Sequence, residues 1–166
     1  PPVVPPDRTC SVPTMTIDVL PTLVEIVGAT PPSRPIDGSS MLAQWRGEVD
    51  AEPPHEALFF WYRDDELQAM RMGRWKLHFP HAYRSLEGRP AGNNGRPAKY
   101  TYGIPIGLSL FDLKSDPGET TDVADSHPEV VARMSALADD ARARLGDTLT
   151  GVAGSEGRPP RVGPKP

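Results

Sequence analysis

Residues Ala57–Phe79 read ALFFWYRDDELQAMRMGRWKLHF, and a second informative stretch, Leu110–Glu119, reads LFDLKSDPGE. Polar residues at Arg63–Glu66 and a glycine at Gly73 divide the first stretch into three short apolar or alternating runs. Such runs, separated by residues that favour turns, are typical of strands in an antiparallel arrangement. The second stretch adds a fourth strand, over 108–113, which ends at the turn sequence Asp-Pro-Gly-Glu. The pattern therefore predicts a four-stranded antiparallel sheet.

The third strand shows the clearest alternation. Trp75, Leu77 and Phe79 occupy one face of this strand, and Lys76 and His78 occupy the other, because successive side chains of a strand point to opposite sides. We expect the apolar face to be buried and the face with Lys76 and His78 to be accessible.

Three helices complete the predicted fold. Thr16 is a candidate N-cap for a helix that ends at Gly28, and the sequence MLAQWRG predicts a short second helix. Ser126 is a candidate cap for a long C-terminal helix over 128–145, with proline at its first position. An apolar stripe along this helix favours packing on the sheet, and its members are Val130, Val131, Met134, Leu137, Ala138, Ala141 and Leu145. The predicted fold class is α+β, a four-stranded antiparallel sheet packed by a long C-terminal helix.

Proline and glycine mark the limits of the folded region. Residues 1–13 carry five prolines and predict an extended segment, residues 14–150 predict one folded subdomain, and residues 151–166 predict a disordered tail. Residues 80–107 are rich in Gly, Pro, Asn and Arg and show no periodicity. A loop of this length in a compact domain is usually functional or disordered.

Composition excludes several classes of function. The chain has 166 residues, a formal net charge of −4 and a pI of about 5.5, and no block of Lys and Arg stands out, so nucleic acid and anionic membranes are poor partners. No apolar run approaches the roughly 18 residues that a membrane span needs. The single cysteine, Cys10, has no partner for a disulfide and no CxxC spacing for a metal.

Four segments, in this order, resemble the C-terminal subdomain of the sulfatase family, on the arylsulfatase A and N-acetylgalactosamine-6-sulfatase side. The resemblance covers roughly residues 14–145 and leaves out the family's larger N-terminal domain. The segments are Ile17–Leu23 with Gly28, Pro35–Ser40 with Leu42 and Gly47, Phe59–Tyr62 with Leu67–Phe79, and Leu110–Leu113 with Asp116–Glu119 and Val123-Ala124.

The resemblance implies an enzyme of the alkaline-phosphatase type, in which the N-terminal domain performs sulfuric ester hydrolysis. In that family a cysteine or serine in a C/S-x-P-x-R motif becomes formylglycine, and a calcium ion stabilises the sulfate. Here Pro13 stands three places after Cys10, and Met15 stands where Ser11 would need an arginine. We therefore expect no catalytic residue and no metal ligand in this chain, and we assign calcium and formylglycine to the missing domain. Asp64-Asp65 is interpreted as a turn rather than as a calcium ligand pair.

The same resemblance implies that loops of this subdomain reach the substrate pocket. Lys76 and His78 on the third strand and His81 just after it are the candidate substrate-binding residues at the pocket rim. The alternatives are a solvated strand face for the first two and an ordinary loop histidine for His81. The implied partners are the chain's own catalytic domain and a sulfated small molecule or glycan, and the implied compartment is periplasmic, secreted or lysosomal.

The strand aromatics admit two interpretations as well. Phe59, Phe60, Trp61 and Trp75 fit the core of a sheet better than a carbohydrate-stacking surface. For the chain as a whole, the main hypothesis is a C-terminal sulfatase subdomain that braces the catalytic domain and lines the substrate pocket. The alternatives are a stand-alone, non-catalytic binding or scaffold module of the same ancestry, and an unrelated α+β domain whose matches are chance.

Overall fold

The computed structural model describes residues 3–157. These residues fold into two compact units, with the boundary between Leu58 and Phe59, where the sequence predicted a single subdomain over 14–150. Each unit is described by itself. Within residues 3–157, none of the helices combines the length and the apolar character that crossing a bilayer demands.

The first unit contains two helices. A turn of 3-10 helix over Thr16–Asp18 leads into α1 (Val19–Val27), and α2 (Leu42–Arg46) follows. The predicted cap at Thr16 is wrong, because the α-helix begins three residues later and Thr16 belongs to the 3-10 turn. The predicted end is confirmed: Gly28 has φ 63°, a left-handed conformation that glycine adopts without strain.

A buried carboxylate organises this unit. Asp18 is fully buried and accepts hydrogen bonds from the backbone N–H of Met15 at 2.7 Å and of Ser39 at 3.0 Å. His55 Nε2 lies 2.6 Å from the same carboxylate. Burial alone raises the pKa of Asp18, but these bonds outweigh it and hold the pKa below its ordinary value.

The second unit contains the predicted sheet. Its strands are β1 (Leu58–Tyr62), β2 (Glu66–Met72), β3 (Trp75–His78) and β6 (Ser109–Asp112), in the order β1-β2-β3-β6. The pairings of β3 with β2 and with β6 are antiparallel. The four-stranded antiparallel sheet is thus confirmed.

The long region that showed no periodicity contains a second, two-stranded sheet. Strand β4 (His81–Ser85) pairs antiparallel with β5 (Thr101–Ile106). Strands β4 and β5 could not be predicted from the sequence for two reasons. Gly103 and Pro105 interrupt β5, and no residue of either strand is buried, so neither strand shows the alternation that a half-buried sheet produces.

A long helix packs on the main sheet. Helix α3 (Pro128–Leu145) packs on β2, and Met134 and Ala138 of its predicted apolar stripe are fully buried. Met70, Leu77 and Leu110, which lie side by side on one face of β2, β3 and β6, are fully buried too. Two details differ from prediction: the N-cap is His127 rather than Ser126, which ends a short 3-10 turn, and Leu145 is 39% exposed at the end of the helix.

The chain after α3 turns back toward the last turn of the helix. The backbone N–H of Ser155 donates to Ala143 O at 3.0 Å, and that of Glu156 donates to Arg144 O at 2.8 Å. These bonds satisfy carbonyl groups that the end of a helix leaves without partners. The disorder predicted for residues 151–166 stays a prediction, although residues 155 and 156 make these two bonds, and residues 158–166 lie outside the described residues.

Asp147 connects the end of α3 to the start of β2. Its buried carboxylate accepts hydrogen bonds from Leu67 N at 3.1 Å, Arg142 Nε at 2.8 Å, Leu149 N at 3.0 Å and Thr150 Oγ1 at 3.1 Å. Burial raises the pKa of this carboxyl, but the bonds from Arg142 and from the backbone outweigh it, so the pKa lies below its usual range.

Replacing Asp147 tests this connection. Asp147→Ala leaves the buried Arg142 guanidinium and the Leu67 amide without their acceptor, and the free energy of unfolding in urea is expected to fall by about 3–5 kcal/mol. The matched control is Asp139→Ala, because the Asp139 side chain, the other partner of Arg142, is 72% exposed; it is expected to cost at most about 1 kcal/mol. Equal losses in the two variants would contradict the special role of Asp147.

Candidate functional site

Lys76, His78 and a carboxylate from a distant turn form a compact cluster on the outer face of β3. Lys76 Nζ lies 2.5 Å from Glu119 Oε1, and His78 Nε2 lies 2.7 Å from Glu119 Oε2. All three side chains are mostly buried, with exposed fractions of 23%, 15% and 28%. The expectation that the face of β3 with Lys76 and His78 is accessible is therefore wrong. One carboxylate thus holds both polar side chains of this strand face.

The turn after β6 positions Glu119. Its backbone has φ 55°, a conformation that a residue with a side chain adopts only when its surroundings impose it. Here the Asp116 carboxylate accepts hydrogen bonds from Thr120 N at 2.7 Å and Thr121 N at 2.8 Å, and Glu119 N donates to Asp116 O at 3.2 Å. The sequence Asp-Pro-Gly-Glu therefore does more than end a strand, because it delivers a carboxylate to β3.

The charges in the cluster follow from its burial. Burial lowers the pKa of His78, and the nearby Lys76 ammonium lowers it further, although the bond to Glu119 opposes the shift. The pKa of Glu119 is lowered too, because its bonds to Lys76 and His78 outweigh the effect of burial. His78 is accordingly a neutral imidazole whose Nε2–H donates to Glu119, and Lys76 and Glu119 form an ion pair. His78 Nδ1 is buried and has no hydrogen-bond partner among the described residues.

His81 lies beside this cluster. Its ring stacks on that of His78, with ring centroids 5.7 Å apart and an angle of 14° between the planes. His81 Nδ1 lies 2.7 Å from the carbonyl oxygen of Phe79, so Nδ1 carries the proton and donates. Nε2 remains for another partner. The structure thus brings together the three predicted binding residues, and their role in binding substrate stays a prediction.

Glu119 is the member of the cluster that sequence reasoning missed. The register of β3 with β6 contained a partial signal, since Lys76 lies opposite Phe111 and His78 opposite Ser109. A carboxylate a few residues after β6 is therefore within reach of β3. Its contact depends on the left-handed turn at Glu119, which no local pattern in the sequence specifies.

The other sequence candidates occupy ordinary positions. Cys10 is an exposed free thiol outside any helix or strand, and Asp64 and Asp65 lie in the turn between β1 and β2, with Asp65 at φ 61°. Among residues 3–157, no group of three or more His, Cys, Asp or Glu side chains has an arrangement that could hold a metal ion. The residues described do not fit a calcium site.

The strand aromatics divide between core and surface. Phe59, Trp61 and Trp75 are partly buried, and Trp61 Nε1 donates to Gly146 O at 3.1 Å. Phe60 is 40% exposed. The interpretation of these aromatics as sheet core thus fits Phe59, Trp61 and Trp75 better than it fits Phe60.

Comparison with known proteins gives the family. The model for the C-terminal region of aryl-sulfatase matches residues 53–155. Mouse steryl-sulfatase is 34% identical over 155 residues, which cover 84% of this chain and 24% of that protein. Human arylsulfatase D is 34% identical over 161 residues (87% and 26%), and bovine arylsulfatase A is 32% identical over 120 residues (69% and 23%).

Solved structures show the same relationship. A Bacteroides thetaiotaomicron protein, solved in work on the metabolism of multiple glycosaminoglycans, superposes with a TM-score of 0.54 at 25% identity, covering 76% of this chain and 24% of that chain. The PsFucS1 sulfatase from Pseudoalteromonas sp. superposes with a TM-score of 0.56 at 17% identity, covering 84% and 26%. The second likeness concerns the fold alone.

The chain belongs to the sulfatase family, and its sequence corresponds to the C-terminal region of those enzymes. It spans about a quarter of the length of the curated relatives that it matches.

The buried imidazole predicts how stability depends on pH. Because the pKa of His78 is lower in the folded chain than its ordinary value of 6.5, the unfolded chain takes up this proton first as the pH falls. The contribution of neutral His78 is therefore fully present above about pH 6.5 and decreases below it, with a slope of at most about 1.4 kcal/mol per pH unit. Glu119, whose pKa is also lowered, adds a loss in the same direction at pH values below its ordinary 4.5.

Urea unfolding at about pH 7.5 and about pH 5.5, on either side of the ordinary histidine value, measures this effect. The wild-type chain is expected to lose more stability over the interval than His78→Gln, which removes the titrating ring. An identical loss in both proteins would show that His78 does not titrate as described.

Proposed function

We propose that this chain is the C-terminal part of a sulfuric ester hydrolase, in which it braces the catalytic domain and forms one wall of the substrate pocket. Two features support the proposal. Family membership supplies the class of enzyme, and an uncovered apolar helix supplies the brace. The proposal depends most on the exposed apolar surface of this helix.

Helix α1 and the turn before it expose an unusual amount of apolar surface. The exposed fractions are 42% for Ile17, 40% for Val19, 50% for Leu20, 49% for Leu23 and 71% for Val27. A helix that is apolar on most of its surface is normally buried, and a contiguous apolar patch on a folded protein marks an interaction site.

The occupant that we propose for this surface is the catalytic domain of the same polypeptide. The relatives are about four times as long as the region that this chain matches, so in those proteins a much larger body of sequence accompanies the C-terminal region. Burying apolar side chains contributes roughly 25 cal/mol per Å² removed from water, and α1 with its preceding turn offers five such side chains. Domain docking through α1 would stabilise both parts.

In this proposal, the outer face of β3 and the start of β4 form the wall of the substrate pocket. His81 is the best placed of the three candidates, because its Nδ1 is engaged by Phe79 O while its Nε2 is not, whereas the unpaired nitrogen of His78, Nδ1, is buried. With its Nδ1–H donating to Phe79 O, the His81 ring would accept a hydrogen bond from a hydroxyl group of the substrate at Nε2. Lys76 and His78 would act beside it, with the ammonium already paired to Glu119 at 2.5 Å.

In this proposal, the residues that cleave the ester lie in sequence outside this chain. Formylglycine and calcium are the groups that the family resemblance implies, and neither fits the residues described here: no carboxylate cluster suits a metal ion among residues 3–157, and the sequence around Cys10 departs from the nucleophile motif. No step of the reaction is therefore assigned to a residue of this chain.

Polar substitutions on α1 test the brace. Leu20→Gln combined with Leu23→Gln preserves helix propensity while it removes apolar surface, and the double variant is expected to bind less than half as much of an apolar fluorescent dye as the wild-type chain and to self-associate less in gel filtration. Leu86→Gln combined with Leu108→Gln is the matched control, since these side chains are 42% and 44% exposed in separate loops. Equal dye binding by wild type and the α1 variant would contradict the proposal and favour a stand-alone module.

A further inference from the structure

The hairpin formed by β4 and β5 carries a surface that the proposed pocket wall does not use. The guanidinium carbon of Arg84 lies 4.5 Å from the ring centroid of Tyr100 and 6.0 Å from that of Tyr62. Tyr102 continues this row, with its ring centroid 6.1 Å from that of Tyr100. These four residues are called the tyrosine–arginine surface below.

A bulge in the hairpin places these side chains together. Tyr83 pairs with Ile104 and Ser85 pairs with Thr101, so β5 has one extra residue between the two pairs. Gly103, within this interval, has φ 76°, a conformation that glycine adopts without strain. The extra residue reverses the alternation of β5, and Tyr100 and Tyr102 therefore emerge on the same side as Arg84 rather than on the side of Tyr83.

The surface is accessible and basic. The exposed fractions are 48% for Tyr62, 36% for Tyr100 and 63% for Tyr102, and the Arg84 guanidinium makes no ion pair with any residue in the described range 3–157. Residues 81–106 contain four Lys or Arg and one Glu, a formal charge of +3, in a chain whose net charge is −4. The basic residues are Arg84, Arg89, Arg96 and Lys99.

We propose that the tyrosine–arginine surface, whose residues are not those of the proposed pocket wall, binds a sulfated glycan. A guanidinium presents paired donors that match two oxygens of one oxyanion, and the flanking rings hold it in place. Exposed tyrosine rings offer rigid, amphipathic contact area of the kind that an uncharged sugar face can cover. The positive hairpin complements the charge of the ligand. The choice of sulfate esters over other polyanions rests on the proposed function.

Binding of chondroitin sulfate by the 166-residue chain, measured by calorimetry at about physiological ionic strength, tests the proposal. Arg84→Gln and Tyr102→Ala are each expected to weaken binding tenfold or more, whereas Tyr102→Phe, which keeps the ring, is expected to stay within a factor of three of wild type. Arg133→Gln, which removes the same charge from an exposed position on α3, is the control for Arg84. Thermal unfolding of each variant verifies that it is folded.

Four results would overturn the proposal: no binding by the wild-type chain, equal weakening by Arg84→Gln and Arg133→Gln, loss of binding in Tyr102→Phe as complete as in Tyr102→Ala, or tighter binding of single-stranded DNA of matched charge. The last result would identify a nucleic-acid surface instead. None of these substitutions touches α1 or the His81 region, so a failure here leaves the brace and the pocket wall unaffected, and a failure of the dye experiment leaves glycan binding to be judged by its own measurement.

Discussion

The buried carboxylate of Asp147 holds the second unit together. It accepts one bond from the start of β2, through Leu67 N, and one from the end of α3, through Arg142 Nε. Because α3 is fixed in this way on one face of the sheet, the apolar side chains of β3 are buried against it and the alternate side chains emerge on the opposite face. The partly buried position of Lys76 and His78, on the face of β3 opposite Leu77, is thus a consequence of the register between a helix and a sheet, set partly by a residue that contacts neither of them.

The same structure shows which features a sequence can reveal. The strands β1, β2, β3 and β6 and the helix α3 were predictable, because each carries a local period or turn signal that burial imposes on its residues. The partners of Asp147 are up to 80 residues away in sequence, and an aspartate followed by Thr-Leu-Thr gives no local indication that it is buried. The β4–β5 hairpin escaped prediction for the opposite reason, since its exposed strands place no apolar pattern on the sequence.

The same distinction applies to the candidate site, part of which followed from the local sequence and part of which only the fold determines. The alternation of β3 located Lys76 and His78 on one face, and the position of His81 just after that strand suggested that it lies nearby. Glu119 changes what these residues can do, because it neutralises the Lys76 ammonium and engages Nε2 of His78. The predicted cluster of basic side chains is therefore an ion pair with a neutral imidazole. Of the two ring nitrogens without a hydrogen bond, Nδ1 of His78 is buried, which leaves Nε2 of His81 for a ligand. Only the fold, through the left-handed turn at Glu119, determines this division of roles.

The central proposal is that the chain supports sulfate ester hydrolysis without performing it, and steady-state hydrolysis of a chromogenic aryl sulfate tests this proposal most directly. The measurement uses the 166-residue chain alone, with calcium present, in a preparation whose cooperative unfolding in urea shows that it is folded. The account predicts no turnover above that of the buffer. Turnover that rises in proportion to the concentration of the chain would contradict it, because a nucleophile would then have to lie among these residues.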